Sequence, residues 1–155
     1  MADHKNAGKF EVFDASNYRV GIVVSQFNFI YTEAMLAYAK EALKDYSVPE
    51  ENIVILRVAG SMETPVALQA LADKGNFDCL VAIGVIIRGE TPHFDYVAKM
   101  VTEGVLRVGL DYKIPIGFGV ITADNEEQTK ARLHLGRGAV IAAIHSAKEI
   151  KSLSL

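Results

Sequence analysis

At 155 residues, half of them hydrophobic and 23% charged, the chain is sized for one domain with a sizeable core. A formal net charge of −3, with no long basic run, argues against a nucleic-acid partner. The polar N-terminus lacks an apolar signal segment, and the apolar run at residues 139–144 is too short to cross a bilayer. The expectation is therefore a cytoplasmic chain with no membrane partner. The low charged fraction fits two arrangements: surface covered by other subunits, or helices burying both faces of one sheet. Cys79 lies in the run Phe77-Asp78-Cys79-Leu80-Val81-Ala82-Ile83 and reads as a small buried hydrophobe rather than a disulfide partner.

In chain order, residues 1–17 read as irregular, with an edge strand open to Phe10-Glu11-Val12-Phe13. Residues 18–24 are β-branched and predict the first central strand. Met35, Leu36, Ala39 and Leu43 have helical spacing, which predicts a helix over 30–46, with Thr32 as a candidate cap. A second strand falls at 53–58. Pro65 suits the first turn of the helix that follows, which runs to about Lys74 and stops at Gly75. The third strand is placed at 79–83, and a third helix at 95–110. A fourth strand covers 116–121. The last helix opens near Glu126 with Asn125 or Asp124 as cap, is broken around Gly136 and Gly138, each costly in a helix interior, and resumes over 139–150. Strands alternating with helices, the strands nearly continuous in hydrophobics, predict an α/β fold with a parallel sheet and helices on both faces.

In such a sheet every strand's carboxyl end points the same way, and ligands bind in the crevice beyond those ends. Four polar segments fall there: Ser25-Gln26-Phe27-Asn28, Ala59 through Glu63, Gly84 through His93, and Thr122 through Asn125. Phe27 either stacks on a planar ring or anchors the helix start. Glu63 either accepts hydrogen bonds from a polyol or amine or complements a helix N-terminus. Gly89, Glu90 and Thr91 precede a helix whose backbone N–H groups suit a phosphate; an ordinary turn and cap is the alternative. His93 lies two residues beyond, and a histidine ordinarily titrates close enough to neutrality for proton transfer. Arg88, Arg132 and Arg137 each offer a fork matched to phosphate, or a surface ion pair. His4, His134 and His145 show no metal-ligand grouping. No metal site and no dinucleotide fingerprint is expected.

Taken together, Gly84-Val85-Ile86-Ile87-Arg88-Gly89-Glu90-Thr91-Pro92-His93-Phe94-Asp95-Tyr96, the run Pro115 to Thr122 followed by Glu127-Gln128 and Arg132, Phe27-Asn28, and Gly60-Ser61 with Glu63 resemble the 6,7-dimethyl-8-ribityllumazine synthase family of riboflavin biosynthesis. The resemblance covers residues 18–150. It implies a flavodoxin-like three-layer α/β/α sandwich with sheet order 2-1-3-4. Residues 1–17 would form an arm adding a strand to a neighbouring subunit, and residues 18–155 the catalytic domain. Homo-oligomers are implied, as pentamers or 60-subunit icosahedral shells, with active sites between subunits.

The implied activity is that of a transferase without a cofactor. It condenses 5-amino-6-(D-ribitylamino)uracil with 3,4-dihydroxy-2-butanone 4-phosphate, giving the lumazine, phosphate and water. By the same resemblance, Phe27 stacks on the pyrimidine, and Ser61, Met62 and Glu63 line the ring and ribityl pocket. Ile86 and Ile87 contact the heterocycle. Gly89, Glu90 and Thr91 flank the phosphate-bearing substrate, and His93 moves protons. Phe118 and Arg132 come from the neighbour, Arg132 as the phosphate clamp, and Arg137 supplies a cation at the phosphate or the site entrance.

The chain departs from the family pattern at Gln26, Ala59, Met62 and Thr64, and in a shortened stretch at residues 133–138. Related readings are a riboflavin synthase of similar fold, or a non-catalytic flavin- or lumazine-binding or shell-forming protein.

Overall fold

The computed structural model describes residues 8–154. Two strands, β1 (Val20–Ser25) and β3 (Cys79–Ile87), are almost wholly apolar and lie at the centre of a four-stranded parallel sheet. The edge strands are β2 (Ile53–Val58) and β4 (Ile116–Ala123), giving the order β2-β1-β3-β4. Val20 aligns with Ile53 on one side and Cys79 on the other, and Leu80 with Ile116.

Successive side chains of a strand point to opposite faces, and each face has its own helices. Val20, Ile22 and Val24 of β1 and Val81, Ile83 and Val85 of β3 pack under α1 (Phe29–Asp45) and α5 (Leu135–Ser152). Val23, Leu80, Ala82 and Ile86 face α2 (Thr64–Asp73) and α3 (His93–Tyr112). A short helix α4 (Glu126–Lys130) joins β4 to α5. The expected α/β sandwich with a central parallel sheet is therefore observed. No helix among the described residues is long and apolar enough to cross a membrane.

Several boundaries correct the sequence reading. β3 runs four residues past Ile83 because its pairing with β4 continues to Ile87↔Ala123 after the β1 ladder stops at Val24↔Ile83. α3 starts at His93 rather than Asp95. Thr32 is not the cap of α1; that position is Asn28, and the Thr32 hydroxyl is buried, donating to the Ser25 carbonyl at 2.7 Å. Asn125 does cap α4, its side chain accepting from Gln128 N at 2.9 Å.

Phe10–Phe13 form no strand within the chain. Their rings pack on α5 instead: His145 lies 4.9 Å from Phe10 and 5.2 Å from Phe13 between centroids. Residues 1–7 of the expected arm, with His4, and Leu155 fall outside the described residues. Cys79 is fully buried, and burial pushes its thiol up to about 12.

The break in the last helix comes at residues 131–134, before the two glycines, which both lie inside α5. Gly136 is there for close approach: a Cβ would stand 2.1 Å from the Met35 carbonyl oxygen of α1. Backbone cannot yield as a side-chain tip can, so Gly136→Ala is expected to cost about 1–3 kcal/mol. That lowers Tm by roughly 3–10 °C for a chain of this size. A Cβ at Gly138 would meet nothing within 4 Å, so Gly138→Ala is expected to be neutral or mildly stabilising, through helix propensity. Thermal unfolding of the two variants side by side checks this; equal melting temperatures would contradict the helix contact.

Candidate active site

The four segments beyond the carboxyl ends of the strands are laced into one ledge by backbone bonds. Gln26 N donates to the Val58 carbonyl and Phe27 N to the Ala59 carbonyl, both at 2.8 Å, tying the β1 loop to the β2 loop. Asn28 Nδ2 donates to the Val85 carbonyl at 3.0 Å, tying the same loop to β3. Arg88 N donates to the Ala123 carbonyl at 2.8 Å, tying β3 to β4.

Asn28 adopts the left-handed region with φ 62°, which asparagine tolerates better than most residues. The sharp turn there leaves Phe27 72% exposed. A large ring that free of the core is available to stack on a planar ligand.

Ser61 sits opposite Gly84 across the ledge. It is buried, its hydroxyl has no partner, and a Cβ at Gly84 would come within 2.5 Å of Oγ. Gly84 therefore gives Ser61 its seat. Met62 and Glu63 follow on the exposed surface. Glu63 Oε2 accepts the Gly60 N–H at 2.9 Å, so one carboxylate oxygen already serves as a local cap.

The Ile86 and Ile87 side chains belong to the two cores. What they bring to the ledge is backbone, since the ladder with β1 has ended before them while that with β4 persists. Polar main-chain groups on that side are open to a ligand.

The loop after β3 is short, and Gly89, Glu90, Thr91 and His93 are all exposed. Thr91 Oγ1 lies 3.4 Å from His93 N at the start of α3. With 20 residues, α3 presents a full helix N-terminus, with the partial positive charge that favours an anion. Gly89 is not required by the chain itself: a Cβ there would meet nothing within 4 Å. His93, first residue of α3, stands on the same ledge as Phe27 and the Ser61–Glu63 turn.

Phe118 and Arg137 lie apart from this cluster, while Arg132 borders its segment at residues 122–125 through Gln128. Phe118 is 42% exposed on edge strand β4, opposite Ala82 and well before the strand's end. It lines a concavity of about 710 Å³ with Val105, Leu106, Leu110, Ala142 and Ile150. This hollow is apolar and runs between α3 and α5, away from the polar ledge. Arg132 follows α4, with Nη1 donating to the Gln128 carbonyl at 2.8 Å. Arg137 Nη2 is bonded to Asp45 Oδ2 at 2.6 Å, at the C-terminal end of α1. Helix α1 runs back from the ledge, so that end lies remote from it.

Arg88 is also committed within the chain. It donates to Asp124 at 3.0 Å and Asp95 at 3.4 Å, and these carboxylates raise its pKa, the hydrogen bond to Asp124 most. The sequence offers Asp124 only as an alternative cap and Asp95 only within the motif at residues 84–96, and pairs neither with Arg88. Among the described residues no three His, Cys, Asp or Glu side chains gather as a metal would require.

An open parallel α/β sheet with an exposed aromatic, a loop leading into a long helix and a histidine along one carboxyl edge defines an α/β protein of the kind that binds ligands beyond its strand ends. The model of the 6,7-dimethyl-8-ribityllumazine synthase family matches residues 17–151. A 6,7-dimethyl-8-ribityllumazine synthase of Nocardioides sp. is 42% identical over 147 residues, covering 90% of this chain and 89% of that protein. The chain belongs to the 6,7-dimethyl-8-ribityllumazine synthase family.

Proposed function

We propose that the chain catalyses condensation of 5-amino-6-(D-ribitylamino)uracil with 3,4-dihydroxy-2-butanone 4-phosphate to 6,7-dimethyl-8-ribityllumazine, phosphate and water. One observation carries the reading: Phe27, the Gly89–Thr91 loop and His93 share one ledge in a chain of this family. Phe27 stacks on the pyrimidine. Main chain at Ile86 and Ile87 and the turn of Ser61, Met62 and Glu63 hold the heterocycle and ribityl chain. Gly89, Glu90 and Thr91 receive the phosphate at the α3 N-terminus, as helix starts do. His93 passes protons as the amine attacks the ketone, one water is lost as the imine forms, phosphate leaves, and ring closure by the second nitrogen expels a second water. Holding the two substrates together supplies much of the acceleration.

Phe118 and Arg132 complete the site of an adjacent copy in a ring, with the pentamer as the least unit. The apolar hollow beside edge strand β4 supports this, because an open strand edge and apolar groove are surfaces a partner covers. Residues 1–17 serve as the arm toward a neighbour.

Purified protein given both substrates is expected to release phosphate and form the lumazine chromophore together, with the activity sedimenting as a pentamer or larger shell. An active monomer would defeat the shared site. Tight flavin binding without phosphate release would point to the non-catalytic reading. Consumption of lumazine would point to riboflavin synthesis.

A further inference from the structure

Arg88 is the most heavily bonded cation on the ledge. Its Nε donates to Asp124 Oδ1 at 3.0 Å and its Nη1 to Asp95 Oδ1 at 3.4 Å. The guanidinium also lies over the Phe94 ring, 4.3 Å from the centroid. The bonding continues beyond it. Asp124 N donates to Gln128 Oε1 at 2.7 Å, and the Gln128 carbonyl accepts from Arg132 Nη1 at 2.8 Å. An unbroken path therefore runs from the first turn of α3, beside His93, through Arg88, Asp124 and Gln128 to Arg132.

We infer that Arg88 is a positioning residue: it takes no phosphate itself, but fixes the Gly89–Thr91 loop and His93 against the turn that carries Arg132. Charge decides against a direct phosphate contact. One guanidinium faces two carboxylates, so the group is locally anionic, and a phosphate would have to displace Asp95 or Asp124 to reach it. Shape decides for the clasp. Only a planar fork reaches a carboxylate on each side while stacking on a ring; an ammonium offers a single point.

Exposed ion pairs add little to global stability, so removing Arg88 leaves a folded chain. Small displacements of catalytic groups cost far more in rate. The role predicted for Arg88 is therefore kinetic and local. The kinetic arm rests on the proposed reaction; the dynamic arm does not.

The test uses the full chain in its native assembly with Arg88→Met, Arg88→Lys, Asp124→Asn and the double variant Arg88→Met/Asp124→Asn. Arg88→Met is expected to lower kcat about tenfold, with KM for the butanone phosphate within about twofold of the parent. Arg88→Lys is expected to restore little of it. Asp124→Asn moves kcat the same way, and the double variant is no worse than Arg88→Met, because the two residues act as one unit. Amide hydrogen exchange without substrate is expected to quicken across residues 89–93 in Arg88→Met.

A tenfold rise in KM for the butanone phosphate with kcat unchanged would make Arg88 a phosphate ligand and overturn the inference. Additive losses in the double variant, or unchanged exchange in Arg88→Met, would also overturn it. If the parent releases no phosphate from the two substrates, the proposed reaction fails, while the exchange measurement still judges the clasp.

Discussion

His93→Ala is expected to slow phosphate release and lumazine formation together, by about 10- to 100-fold, without preventing assembly. A positioned acid–base group commonly contributes 10²–10⁴-fold. The expected effect lies at or below the bottom of that range because the substrates already carry a reactive amine and a good leaving group, and their proximity survives the substitution. His93 is exposed at the first position of α3 and packs in neither core, so its loss removes no buried surface and Tm is expected to stay within a few degrees. Under the proposed mechanism, in which the imidazole moves protons and holds neither ring nor phosphate, the substitution is expected to act on kcat rather than on either KM. Phosphate release at the parent rate would remove His93 from the mechanism. A large fall in Tm would assign it a structural role instead.

The fold was legible in the sequence where hydrophobic patterning is strong. Residues 18–24, 53–58 and 79–83 are runs of strand length, apolar but for Arg19 and Arg57, and Met35, Leu36, Ala39 and Leu43 all fall in the core as the helical period requires. What failed depends on tertiary partners. Residues 84–87 fell outside the third strand as placed at 79–83, yet β4 holds them in the sheet. Gly136 read as a helix breaker, while it is the point where α5 meets the backbone of α1. Phe10 and Phe13 read as a possible edge strand, whereas an aromatic cluster with Tyr46 and His145 holds them.

The ledge was legible for a topological reason: residues that follow the strands of a parallel sheet come to one edge whatever the details. The state of each cation there was not. Arg88, Arg132 and Arg137 look alike in sequence, and only the positions of Asp45, Asp95 and Asp124 separate a clasp and a helix–helix tie from the one arginine bonded to a backbone carbonyl.

That difference directs the second large effect to Arg132. Among the described residues its guanidinium makes one hydrogen bond, from Nη1 to the Gln128 carbonyl, which orients the fork without neutralising it. Arg132→Ala is expected to raise KM for the butanone phosphate by about 10- to 150-fold, the equivalent of about 1.5–3 kcal/mol for a charge-assisted contact. KM for the pyrimidine is expected to change little. Equal weakening toward both substrates, or none, would contradict a phosphate clamp.

The same variant reports whose phosphate it holds. If Arg132 serves the neighbour's site, a site needs His93 from one chain and Arg132 from the next. Co-assembling His93→Ala and Arg132→Ala chains in equal amounts then gives about a quarter of sites with both groups intact, by random placement around a closed ring. Activity at low butanone phosphate is therefore expected to rise well above the mean of the two parents. If Arg132 instead serves its own chain's site, every mixed site still lacks one group, and activity stays at that mean.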